Sequence, residues 1–81
     1  MVVKIDDNAL KDLGKIHKGD VAKIFAKIET LSHFPHIPNI KKLTHFDPPF
    51  QLRVGNYRVL FDVKDDLLTV YNVKHRKESY R

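Results

Sequence analysis

The chain has 81 residues, with 15 Lys plus Arg against 10 Asp plus Glu, and no cysteine. That length makes one domain, 1–81, whose core is too small for more than one sheet and one layer of helix. The missing cysteines exclude disulfides and thiolate metal sites. The sequence has neither an apolar run of about eighteen residues nor a charged–apolar–small leader, so the expectation is a cytoplasmic protein with no membrane partner.

The formal charge of +5 is unevenly placed. Residues 1–40 carry six Lys against five acids, whereas residues 41–81 carry nine Lys plus Arg against five acids. Arg53, Arg58, Arg76 and Arg81, all the arginines, lie in the second half. Arginine grips phosphate in a planar, two-pronged way that the point charge of lysine does not. The segregation points to a polyanion, nucleic acid before acidic protein. Many small proteins are mildly basic with no such partner, so charge alone does not decide.

In chain order, Val2-Val3-Lys4-Ile5 predicts a first strand. Asp6, Asp7 or Asn8 then caps a helix that buries Ala9, Leu10, Leu13 and Ile16, and Gly14 weakens or ends it. Asp20 is the expected cap of a second helix. There Val21, Ile24, Phe25, Ile28 and Leu31 form one apolar stripe at helical spacing. The short connection makes the two helices an antiparallel hairpin. Phe34-Pro35-His36-Ile37-Pro38 stops the second helix, because proline does not continue it. Residues 35–49 read as an ordered loop with Lys41 and Lys42 near its middle.

Phe50-Gln51-Leu52-Arg53-Val54 and Tyr57-Arg58-Val59-Leu60-Phe61-Asp62 flank Gly55-Asn56 and predict a two-residue β-hairpin. Its register places Val54 opposite Tyr57, Arg53 opposite Arg58, Leu52 opposite Val59, Gln51 opposite Leu60 and Phe50 opposite Phe61. Alternation sends Phe50, Leu52, Val54, Tyr57, Val59 and Phe61 to one face and Gln51, Arg53, Arg58, Leu60 and Asp62 to the other. Two arginines directly opposite each other repel. A chain selected only for stability would avoid that pair, whereas a site that meets an anion would use it.

Leu67–Val73 is apolar on both faces, as suits an inner strand. The chain closes on the basic tail from Lys74 to Arg81. The predicted class is α+β, in the order β-α-α-β-β-β. An antiparallel-dominated sheet carries the helical hairpin on one face and leaves the arginine face open.

The chain contains no phosphate-binding glycine loop, dinucleotide motif, His-Glu-x-x-His or zinc ligand set. His33 and His36 flank Pro35 without a completing ligand, and His17 and His45 suit loop surfaces, so neither metal nor cofactor is expected. Arg53, Arg58, His75, Arg76 and Tyr80 remain. They are either a solvated basic rim with a packed terminal aromatic or a metal-free phosphodiester site. RNA is cut without metal when its own 2′-OH attacks. The protein then supplies a proton acceptor, cations for the pentacovalent phosphate and an acid for the 5′-oxygen. A two-residue loop at Asp65-Asp66 with unbroken pairing would set Arg58 opposite Val73 and put His75 on the face of Arg58. A longer loop, or a bulge near Lys74, would bring Arg76 there instead. The expectation is that Arg58 and Arg76 share the open face.

Asp7–Leu13, Ile40-Lys41-Lys42-Leu43, Leu52–Phe61 with its L-R-V-G-x-Y-R run, and Val73–Arg81 with H-R-x-x-x-Y together resemble the RelE/ParE superfamily of bacterial and archaeal type II toxins. The resemblance spans nearly the whole chain. It implies the fold above, a cognate antitoxin as partner, and contact with DNA only through that antitoxin. The RelE branch consists of messenger-RNA endonucleases that work on the ribosome without metal and leave a cyclic phosphate and a 5′-OH. The ParE branch inhibits DNA gyrase. On the RelE pattern, Arg58 stabilises the scissile phosphate, Arg76 acts on the leaving group, and Tyr80 stacks on a base and helps proton transfer. Arg53 stands where the family often has a Lys or Arg, and Lys41, Lys42, Gln51 and Lys74 are the further expected RNA-binding residues. Gln51 stands where a second basic residue is common, which leaves His75 or Tyr80 to move protons. The implied function is a ribosome-dependent endoribonuclease toxin. The alternatives are a gyrase inhibitor and a non-catalytic member that only binds its antitoxin.

Overall fold

The computed structural model describes residues 1–78. Its strands are β1 (Val2–Ile5), β2 (Ile40–Lys42), β3 (Phe50–Val54), β4 (Tyr57–Lys64) and β5 (Leu67–His75), and its helices are α1 (Asp7–Leu13) and α2 (Lys18–Thr30), the latter followed by a 3-10 turn at Leu31–His33. The sheet has the order β1-β5-β4-β3-β2. β1 runs parallel to β5, and every other pairing is antiparallel. The expected α+β class and element order are present, with one strand more than predicted. β2 falls inside the stretch read as loop. It is three residues long, basic and at an edge, so alternation had almost nothing to act on.

Asp6 caps α1 by accepting from the Asn8 backbone N–H at 3.1 Å. Ala9 and Leu13 are buried, but Leu10, expected inside, is 49% exposed. A helix of seven residues has room for only one buried stripe. α2 starts earlier than predicted. His17, not Asp20, is its cap, with Nδ1 accepting from the Gly19 N–H at 3.1 Å. Ile24, Ile28 and Leu31 of its stripe are buried, and Val21 and Phe25 are partly covered. α1 lies against β5 and α2 against β3.

The central hairpin has all five residue pairs expected from its alternation. On its helix side Leu52, Val59 and Phe61 are buried. Phe61 stacks on Phe50, its cross-strand partner, with ring centroids 5.5 Å apart, while Phe34 meets Phe50 and Phe61 edge-on at 5.2 and 5.6 Å. Chain arriving from the 3-10 turn thus closes one end of the core with aromatic edges on faces, a favourable arrangement of ring quadrupoles.

Gly55 opens the hairpin turn at φ 57°, and a Cβ there would meet nothing within 4 Å. Gly55→Ala therefore costs only left-handed backbone strain, about 1–2 kcal/mol. Urea denaturation should show that loss with the slope unchanged, and an unaltered midpoint would contradict it. Among the described residues no helix is long and apolar enough to cross a membrane.

A candidate nucleic-acid interface

The sheet face opposite the helices is not uniformly open. Gln51 and Leu60 project from that face, yet only 9% and 8% of their surfaces are exposed. The β2–β3 connection is closed by a Leu43 N–H to Pro49 carbonyl bond of 2.6 Å. On one side Leu43 borders a cleft of about 600 Å³, and on the other Asp47 and Pro48 share a smaller one with Tyr71 and Asn72. The connection thus lies across one end of the face and leaves the other end, beside the hairpin turn, accessible.

At that end is a cleft of about 600 Å³ lined by Asn39, Ile40, Lys41, Leu43, Gln51, Arg53, Tyr57, Arg58, Arg76 and Lys77. Five of these side chains are cationic and none is a carboxylate. A concave wall carrying one sign of charge focuses its field on a ligand of the other sign.

Strand register explains how the cations meet. Lys41 is opposite Gln51, and Arg53 is opposite Arg58, so all four point to the cleft side. The loop at Asp65-Asp66 has two residues, with Asp65 at φ 55°. Unbroken pairing from there would have set Arg58 opposite Val73. A bulge intervenes: Phe61 pairs with Val70 and Leu60 with Asn72, which leaves Tyr71 as the extra residue. Below it Leu68 and Val70 are buried, and above it Val73 is buried, so the inward positions change parity. Arg58 consequently faces Lys74. Arg76, two residues on, lines the cleft, its N–H donating to the Asn56 carbonyl at 2.7 Å. Arg58 and Arg76 share the open face as expected, through a bulge three residues earlier than the one considered near Lys74.

The predicted site residues divide. Arg53, Arg58, Arg76, Lys41 and Gln51 come together in the cleft. Lys42 pairs with Phe50 and holds its ammonium 5.8 Å from that ring's centre, on the helix side. Lys74 turns its Nζ toward Asp12 at 3.5 Å and Glu78 at 3.9 Å. His75 pairs with Tyr57, meets that ring edge-on at 5.3 Å, and accepts at Nδ1 from the Lys77 N–H. Neither Lys42, Lys74 nor His75 is among the cleft-lining residues. Tyr80 lies outside the described residues. Lys77 and Asn39 line the cleft without having been predicted. Lys77 was signalled only by the basic run around it, and Asn39 only by its aptitude for positive φ, here 66°. His33 and His36 border a separate cavity of about 210 Å³ with Lys27 and Thr30. Among the described residues no three His, Asp or Glu side chains gather as a metal site would require.

A small sheet with a helical layer on one side and a cationic cleft on the other makes a compact α+β domain with a candidate anion site. The chain belongs to the family described as the ParE toxin of type II toxin–antitoxin systems, whose model matches residues 3–80. It is thus a type II toxin of the RelE/ParE superfamily. A Methanocaldococcus jannaschii protein named "Putative toxin RelE1" is 31% identical over 85 aligned positions, covering 98% of this chain and 93% of that one. Among solved structures, the Mycobacterium tuberculosis RelBE2 toxin–antitoxin complex contains a similar chain, with a TM-score of 0.79 at 26% identity, covering 93% of this chain and 96% of that one. The Methanococcus jannaschii RelB–RelE antitoxin–toxin complex contains another, with a TM-score of 0.76 at 26% identity and 91% of each chain covered.

Proposed function

We propose that this toxin cleaves messenger RNA on the ribosome and is held inactive by a cognate antitoxin. The observation that carries the reading is the cleft in which Arg53, Arg58 and Arg76 converge with Lys41 and Lys77, with no carboxylate among its described lining residues. An Arg53–Arg58 pair set face to face across a ladder costs stability. It is explained when a phosphate lies between the two guanidinium groups.

In this reading the RNA supplies its own nucleophile. The 2′-oxygen bonds to phosphorus, the bond from phosphorus to the 5′-oxygen breaks, and the products are a 2′,3′-cyclic phosphate and a 5′-OH. One proton leaves the 2′-OH and one reaches the 5′-oxygen, so no further reactant is consumed. Arg58 and Arg53 take up charge on the non-bridging oxygens, where preorganised cations are worth most. Arg76 approaches the leaving oxygen. Proton transfer falls to Tyr80, since His75 faces Tyr57 and its Nδ1 already accepts a bond. Lys41, Lys77 and Gln51 hold the flanking backbone.

The antitoxin is expected to cover the basic face or the helical hairpin with an acidic or amphipathic segment, which on the basic face would neutralise its like charges. Both structural neighbours named above are toxin–antitoxin complexes. Any contact with operator DNA would run through the antitoxin.

Induction of the wild type and of Arg76→Ala in a bacterial host tests the reading. Growth arrest with cuts inside translated messages, absent in Arg76→Ala, is the expected result. The family model's ParE description favours a second reading, gyrase inhibition. Arrest with DNA damage and intact messages would replace the first reading by that one. Growth without arrest would leave an antitoxin-binding protein only.

A further inference from the structure

We propose that Asp12 of α1 is a positioning residue for the cleft: it holds the end of β5 in the register that brings Arg76 to the side of Arg58. The importance of Arg76 rests on the RNA-cleavage reading, but the positioning itself does not.

β1 covers only part of its neighbour. It pairs with β5 from Leu67 to Val70, and the last link on that side is the Asp6 N–H donating to the Val70 carbonyl at 2.9 Å. The bulge at Tyr71 follows immediately. Beyond it β4 is the one strand still paired with β5, and the outer-edge N–H groups turn to side chains instead, that of His75 to Glu78 Oε1 at 2.9 Å. Val73 turns its N–H to that vacated edge, where Asp12 Oδ2 accepts it at 3.0 Å. The other oxygen of the same carboxylate, Oδ1, is 3.5 Å from Lys74 Nζ. One acidic side chain, 15% exposed, thus grips two successive residues of β5 from across 61 residues of chain.

The grip matters because a bulge is a one-residue choice, and the alternative inverts every side chain after it. With the bulge at Tyr71, Arg58 faces Lys74 and Arg76 lines the cleft. Without it Arg58 would face Val73, and His75 would take the open side. The backbone ladder to β4 forms in either register, and burial of Val73 already favours the bulged one. Asp12 fits only the bulged one, because it bonds one particular N–H and one particular ammonium. The simpler view is that Asp12 only pairs with Lys74. That ammonium is 37% exposed and also near Glu78, and such half-solvated pairs contribute little. The Val73 N–H, in contrast, is part-buried, and losing its acceptor leaves it costly to accommodate.

The test is amide hydrogen exchange by NMR on the labelled full chain, comparing wild type, Asp12→Ala and Asp12→Asn. Asparagine keeps an oxygen for the Val73 N–H and loses the charge. Asp12→Ala should speed exchange at the Val73 and Arg76 amides about tenfold, the effect of one ordinary hydrogen bond, and leave the β3–β4 ladder protected. Asp12→Asn should retain wild-type exchange at both. Two results overturn the proposal: wild-type exchange at Arg76 in Asp12→Ala, or an Asp12→Asn variant as labile as Asp12→Ala. Should Asp12→Ala fail to fold, Asp12→Asn decides: retained protection at Val73 and Arg76 supports the proposal, and selective loss there refutes it. In translation extracts Asp12→Ala should lower cleavage about 10–100-fold through misplacement of Arg76, with little further loss when Arg76→Ala is added. A wild type that cuts no RNA would sink the function proposed above and leave the exchange result standing.

Discussion

Arg58→Ala is expected to lower cleavage of ribosome-bound message by about 10²–10³-fold, the usual effect of removing one preorganised donor from a developing anionic centre. Arg58 has the most enclosed place of the three cleft arginines Arg53, Arg58 and Arg76. It sits on an inner strand, half-buried, between Arg53 on one side and Lys74 on the other. Its orientation is therefore fixed by two ladders, and its charge acts without reorganisation when the phosphate becomes pentacovalent. Arg58→Lys should recover only a small part of the rate, because an ammonium lacks the planar fork that spans two phosphate oxygens. Single-turnover cleavage on programmed ribosomes measures both variants. The thermal midpoint separates chemistry from folding. Relief of the Arg53–Arg58 repulsion in Arg58→Ala offsets part of the stability lost with the side chain's own contacts. Wild-type rates from Arg58→Ala would remove the cleft from the mechanism.

Phe61→Ala carries the largest expected effect on the fold. Phe61 is fully buried, stacked on Phe50 and met edge-on by Phe34. Emptying such a site typically costs about 3–5 kcal/mol, the transfer of the ring plus the cavity left behind. Small domains have total stabilities on the order of 5–15 kcal/mol, and short chains sit at the lower end. Most of the margin would go, and urea denaturation should show a midpoint close to zero denaturant. The same ring stands three residues along β4 from Arg58 and next to the bulged pair, so any folded fraction should also bind RNA poorly. A loss below about 1 kcal/mol would show that Phe34 and Phe50 collapse into the space, against the packing described.

Sequence and structure agree most closely in the central hairpin and along the stripe of α2. The hairpin from Phe50 to Phe61 has the register its alternation implied, including the awkward Arg53–Arg58 pair. The α2 stripe is buried at Ile24, Ile28 and Leu31. Disagreement gathers where a neighbour distant in sequence decides. Lys41 and Lys42 are adjacent basic residues with no sign of which faces the cleft. Only pairing of β2 with β3 separates them, sending Lys41 to Gln51 and Lys42 to the Phe50 ring. One miss is local: His17 looked like a loop residue because histidine is an unusual cap, although the Gly19 N–H it accepts from is two residues away.

By itself the sequence determined the class of fold, the arginine-bearing hairpin and the basic second half, because alternation, helical spacing and charge are properties of neighbours along the chain. The tertiary structure alone decided that Arg76 joins Arg58 and that His75 and Lys74 turn elsewhere. The parity of β5 depends on a bulge at Tyr71, which no glycine announces, and β1 ends just there. The backbone bond that β5 needs beyond that point comes from Asp12 on the first helix. Side-chain direction after a bulge is set by which backbone groups find partners, and those partners are brought together only by folding.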